Sequence, residues 1–223
     1  MNSVLDVADV TKTYRRGAQI IRAADGVSFR ADQGDLVVIH GPSGSGKTTL
    51  LLMIGGMLPP DAGTVRYGAD DLYRWPVSKR NEYRKRTVGF VFQRFFLMPY
   101  LTVFDNIRLP LALQGQRDDP ARAIGDLAAR LRIGDRLGHR PAELSVGEQQ
   151  RVAVARALVG DKKLILADEP TGNLDAANVE IIAECLRKES RRGRIILLVT
   201  HNTSLLEIGS QRLRIEDGRL AGA

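Results

Sequence analysis

The sequence predicts an α/β domain with a mixed, mostly parallel central sheet, an antiparallel β flank and an inserted α-helical subdomain. Three observations predict it. Apolar runs of strand length recur along the chain, a glycine-rich octapeptide sits between one such run and a helix-like run, and a long middle stretch carries apolar residues at helical spacing. The 223 residues, 43% of them hydrophobic, suffice for one core with subdomains and fall short of two ordinary domains. No segment repeats at a period of roughly 20 to 50 residues, so solenoids and propellers are excluded.

In order along the chain, residues 4–10 and 27–30 are short, partly alternating runs, as expected of antiparallel strands with one exposed side. Residues 35–40, 164–167 and 194–199 are instead continuously apolar, which suits parallel strands buried on both faces. Between about residues 94 and 158 the apolar positions, such as Leu127, Ala128 and Leu131, recur with helical period, broken by Pro99, Pro110, Pro120 and Pro141. The expected organisation is one domain over 1–223, with a core from about 1–93 and 159–223 and a helical subdomain over 94–158.

The charge balance is 33 Lys and Arg against 26 Asp and Glu, a net +7. That excess suits nucleic acid, an anionic membrane surface or a polyphosphate ligand, and composition does not choose among them. Its two densest clusters, residues 79–86 and 187–194, read as solvated faces or ends of helices. Cys185 is the sole cysteine, which excludes an internal disulfide and a multi-cysteine zinc site. The first residues lack the pattern of a secretory signal, and no apolar run approaches the ~18 residues of a membrane span, so a cytosolic chain is expected.

The strongest local signal is Gly41-Pro42-Ser43-Gly44-Ser45-Gly46-Lys47-Thr48, between the buried-strand candidate and the helix-like run that begins at Thr49. It fits the P-loop pattern of a P-loop NTPase. Glycines let successive N–H groups turn toward a phosphate, and the following helix aims its positive end at the same anion. Lys47 is expected to neutralise the β and γ phosphates and Thr48 to ligate Mg²⁺. Downstream, Lys163-Leu164-Ile165-Leu166-Ala167-Asp168-Glu169 ends an apolar strand in two carboxylates, placing them at the sheet edge beside the loop. Asp168 suits the metal, and Glu169 suits orienting and deprotonating an attacking water.

Between these sites stands Leu144-Ser145-Val146-Gly147-Glu148-Gln149-Gln150-Arg151, and with it the sequence resembles the ATP-binding subunits of ABC transporters along essentially the whole chain. The octapeptide looks like their signature motif, with Val146 and Glu148 departing from the commonest form, Leu-Ser-Gly-Gly-Gln. Ser145 and Glu148 also form a Ser-x-x-Glu capping box, which starts a helix and leaves its N-terminal amides facing outward. The resemblance further implies that Gln93 is the Q-loop glutamine at the metal, that Asn173-Leu174-Asp175 is the D-loop, that His201 is the switch histidine at the γ-phosphate, and that Tyr14 stacks on adenine. It implies a head-to-tail homodimer in which Ser145, Val146, Gly147, Glu148 and Gln149 of one copy face the ATP of the other.

Without spanning segments, such an ATPase is expected to sit in the cytoplasm on the inner face of the membrane, docked on permease subunits. Residues 93–103 hold many apolar groups, which either line a groove for a permease helix or fill the helical subdomain. Within the family, the pattern of Tyr14, Gly17, Ala23 and Val27 and the run 168–175 resemble the lipoprotein-releasing, macrolide-exporter and cell-division branch. Export, lipoprotein release or envelope mechanotransmission is therefore expected, with an importer ATPase or a nucleic-acid ATPase as alternatives. The latter needs a long coiled coil or a zinc module, and neither pattern is present.

Overall fold

The computed structural model describes residues 5–17, 19–115, 119–172 and 174–221. Strand β1, Leu5–Arg16, pairs antiparallel with β2, Gln19–Ala31, and with β4, Ala62–Tyr67; β4 in turn pairs with the short β5, Asp70–Asp71. The flank is therefore antiparallel, as expected, but its first two strands run much longer than residues 4–10 and 27–30. Their outer ends form a ribbon of mostly exposed residues, in which Tyr14 lies opposite Ile21. A ribbon that leaves the core needs cross-strand pairing and no apolar alternation, so periodicity misses it.

The second sheet has the order β10-β9-β3-β8-β7-β6. Its parallel strands are β3 (Leu36–His40), β6 (Val88–Val91), β7 (Leu164–Asp168), β8 (Ile195–Val199) and β9 (Gln211–Glu216), and β10 (Arg219–Leu220) adds antiparallel to β9. Alternate residues of the central strands feed two different cores. Val37, Ile39, Leu164, Leu166, Ile195 and Leu197 pack with α1, Lys47–Ile54, and the antiparallel sheet. Leu36, Val38, Ile165, Ala167, Ile196 and Leu198 pack with helices on the other face. Each fully buried Leu or Ile here contributes about 2 kcal/mol relative to exposure, and the polar residues of these strands, His40 and Asp168, stand at their C-terminal ends.

The second core is closed by α3 (Val103–Leu113), α4 (Ala121–Arg130), α5 (Val146–Leu158) and α6 (Ala176–Arg191); α2, Val77–Arg86, lies on the first-core side through Tyr83. Thr102, Ser145 and Asp175 cap α3, α5 and α6 by accepting backbone N–H groups on their side chains. Among the prolines expected to break the helical stretch, Pro120 caps α4 and Pro141 opens a 3-10 turn. Pro110 does not conform. It lies inside α3, where the lost N–H falls near the helix end and the buried Ile107 and Leu111 hold the turn in place.

The basic cluster 187–194 lies at the C-terminal end of α6, as expected, but it is not wholly solvated. Glu189 at its centre is only 1% exposed and is ion-paired with Arg130, Arg192 and Arg194. Nearby on the same helix, Cys185 is 3% exposed, and burial pushes its thiol up to about 11. Among the described residues, no helix is long and apolar enough to cross a membrane.

Candidate functional site

Four parallel strands end at one edge of the sheet, and a candidate site residue follows or closes each: the glycine-rich loop after β3, Gln93 after β6, Asp168 at the end of β7, and His201 after β8. They meet around a cavity of about 400 Å³ lined by Tyr14, Ser43, Gly44, Gly46, Lys47, Thr48, Thr49, Gln93, Asp168, Glu169 and His201. Gly41 and Pro42 form the root of the loop. At Gly46 the backbone is left-handed, with φ +99°, and an added Cβ would stand 1.7 Å from the carbonyl oxygen of Ala23. Gly44, at φ +79°, faces open space instead. The loop is thus clamped at its base and free at its crest, with α1 beginning at Lys47 without a side-chain cap. Lys47, Thr48 and Thr49 of its first turn line the cavity, where the free N–H groups of a helix start suit an anion.

The ammonium of Lys47 folds back into the loop and donates to the carbonyls of Gly41 at 2.9 Å and Pro42 at 2.7 Å. Burial pulls its pKa down, opposed by Glu169 and Asp168. Thr48 donates its hydroxyl to Oδ2 of Asp168 at 2.8 Å, whereas Oδ1 of Asp168 is buried with no hydrogen-bond partner among the described residues. Oε1 of Glu169 is buried and unpartnered in the same sense. Nε2 of His201 lies 3.1 Å from it, out of hydrogen-bond alignment, while the His201 N–H donates to Oε2 at 3.2 Å. Glu169 takes this position through a left-handed backbone, φ +50°. Burial raises the pKa of both carboxyls. Two half-satisfied carboxylates facing a cation-lined phosphate cradle are the donor set that Mg²⁺ with a nucleotide needs, so the residues fit that pair.

The signature residues lie outside this cavity. Ser145 accepts the Glu148 N–H at 3.3 Å, and Oε2 of Glu148 accepts the Ser145 N–H at 2.8 Å, closing the expected capping box. Glu148 is also held by Nε of Arg136 at 2.8 Å, and these contacts depress its carboxyl to about 2. Its charge is therefore balanced within its own chain by the Arg136 guanidinium. Gln149 donates to the carbonyls of Pro141 and Leu144, and Val146 stands 53% exposed at the tip. Asp175 caps α6 and holds Asn178, whose amide sits where a Cβ on Gly147 would clash, at 2.8 Å. Gly147 and Asp175 are thus coupled through Asn178. Asn173 lies outside the described residues.

Sequence reasoning missed three contributors: Arg136, Asn178 and the Ala23 carbonyl. Each acts through a contact distant in sequence, and only the Ser-x-x-Glu spacing had a local signal.

Fold and site together define a P-loop ATPase cassette. The family model for ABC transporters matches residues 24–172. An uncharacterised ABC transporter ATP-binding protein of Thermotoga maritima is 43% identical over 223 residues, 100% of this chain and 95% of that protein. The lipoprotein-releasing system ATP-binding protein LolD of Geobacter metallireducens is 40% identical over 99% of each chain. The macrolide export ATP-binding/permease protein MacB of Chlorobaculum tepidum is 40% identical over 96% of this chain, which spans 33% of that longer protein. Among solved structures, the dimeric ATP-binding cassette MJ0796, bound to ADP and Pi after hydrolysis, superposes with a TM-score of 0.90 at 34% identity, covering 98% of this chain and 97% of that one. The chain belongs to the ATP-binding cassettes of the ABC transporter family, the ATP-hydrolysing subunits that power a membrane permease.

Proposed function

We propose that two copies of the chain close head to tail on two ATP molecules, and that Glu169 activates the water that attacks each γ-phosphate, yielding ADP and phosphate. The observation that carries this reading is the buried Oε1 of Glu169, which has no hydrogen-bond partner among the described residues and stands at the mouth of the phosphate cradle beside Nε2 of His201. Tyr14 stacks on the base, residues 41–46 and Thr49 surround the phosphates, and Lys47 leaves the loop carbonyls to bind the β and γ oxygens. Mg²⁺, when bound, neutralises phosphate charge, held by Thr48, Asp168 and Gln93. His201 steadies Glu169 and reads the γ-phosphate. Ser145 to Gln149 of one copy complete the other's pocket, with Asp175 at the seam. The separation of the signature residues from the cavity within one chain supports this, as does the dimeric state of the structural neighbours.

The same reading divides the chain into a RecA-like core, 1–93 and 159–223, and a helical subdomain, 94–158. It places the chain in the cytoplasm, on the inner face of the membrane, moving a permease for export or lipoprotein release; the full-length match to LolD supports that choice. The permease site is a groove of about 330 Å³ lined by Phe90, Phe92, Phe96, Leu109, Leu113 and Arg156. In the segment that follows Gln93, Phe96, Met98 and Tyr100 are 57%, 44% and 87% exposed, whereas Leu97 and Val103 join the core. The decisive variant is Glu169→Gln. It retains ATP binding, loses turnover by at least ~100-fold and accumulates ATP-bound dimers in light scattering. Turnover at the parental rate rejects the assignment.

A further inference from the structure

One side chain links the two parts of the molecule that this function requires to move together. Arg156 lies in the last turns of α5, about 16 Å along the helix from Ser145. Its Nη1 donates to the Phe96 carbonyl and its Nη2 to the Phe95 carbonyl, both at 2.6 Å. In an extended chain successive carbonyls point in opposite directions, so one guanidinium cannot face two of them. Phe96 resolves this with a left-handed backbone, φ +46°, which turns both carbonyls to the same side. Its ring is braced edge-on against Phe92 at 5.4 Å, and Phe92 stacks on Phe90 of β6 at 4.1 Å.

The charge itself is unusual. Burial lowers the Arg156 pKa, and no carboxylate among the described residues forms an ion pair with it. A cation held in this way by two neutral carbonyls is a costly means of fastening a loop, and lysine has no planar fork to replace it. Phe95 follows Gln93, which lines the nucleotide cavity, by two residues, while Phe96 and Arg156 both line the groove.

We propose that Arg156 is a positioning residue that locks the segment after Gln93 to the signature helix, so that a shift of the groove at Phe96 is delivered to Ser145 and to the partner's nucleotide. This rests on the proposed function, and the test separates the two. The full-length chain is compared with Arg156→Met and Arg156→Lys, reading kcat and KM, binding of a fluorescent ATP analogue, and amide exchange of residues 94–98. Analogue affinity is expected within twofold of the parent, because the cavity is untouched. Arg156→Met is expected to lose about tenfold in kcat, with faster exchange at 94–98, and Arg156→Lys to recover part of both. Parental kcat in a folded Arg156→Met protein overturns the proposal, as does unchanged exchange. Should the methionine variant fail to fold, parental kcat in Arg156→Lys with raised exchange overturns it equally. A parent chain that hydrolyses no ATP sinks the proposed function instead.

Discussion

Asp168 carries an electrostatic burden that has meaning only when a cation arrives. Its carboxyl is 4% exposed, one oxygen is engaged by Thr48 and the other by nothing among the described residues, and burial raises its pKa above the ordinary 3.8. An acid whose pKa rises on folding costs stability at neutral pH, and the cost disappears as pH falls below both its folded and unfolded values. Asp168→Asn is therefore expected to stabilise the nucleotide-free chain by about 1 kcal/mol in urea unfolding at pH 7, and to weaken Mg²⁺-dependent nucleotide binding. A variant less stable than the parent at pH 7 contradicts this account. At this scale the sequence was generous, because the P-loop and the Asp168-Glu169 pair are contiguous and their chemistry follows from residue type and spacing. The left-handed turn at Glu169 was not legible, since nothing in the residue type announces it.

Among the elements, α5 has the most demanding start. Its cap joins Ser145, Glu148 and Arg136, and the depressed carboxyl of Glu148 ties the helix to the 3-10 turn Gly134–Arg136. A lowered acid pKa stabilises the fold above the unfolded value, and that contribution fades as pH drops through the folded one. Glu148→Ala is expected to cost about 1 kcal/mol at pH 7, and less as pH falls from near 4.5 toward 2, measured by urea denaturation at several pH values. A cost independent of pH would show that the carboxylate charge is not its source, since alanine itself favours the helix. The capping box was legible because its partners are three residues apart. Asn106 was not: it is 0% exposed on α3, and its amide secures Met98, Leu101 and Thr102 through four hydrogen bonds, a role that an isolated asparagine in a helical run does not advertise. Glu189 was hidden in the same way, since its partner Arg130 lies 59 residues away.

For the whole molecule, strand order explains why so much of the site could be read in advance. Parallel strands buried on both faces give continuous apolar runs, and their C-terminal ends converge, so finding the runs locates the loops that carry the chemistry. Long-range ties between α3, α5 and the segment after Gln93 carry no such regularity. That segment divides its apolar residues between core and surface, which leaves Met98 and Tyr100 exposed within a few residues of the groove-lining Phe96. Met98→Glu with Tyr100→Glu is expected to change stability by less than about 0.5 kcal/mol and to abolish co-purification of the permease. Retained association would move the docking surface elsewhere.

The solitary thiol has a practical corollary. Cys185 is buried on the inner face of α6, and burial pushes its thiol up to about 11, so maleimide reagents are expected to pass over it in the native protein. A cysteine engineered at Val77, exposed at the start of α2 and outside the nucleotide cavity and the signature motif, would then be the one reactive position in each copy. A spin label or fluorophore placed there would report the distance between protomers through the catalytic cycle without any need to remove the native sulfur.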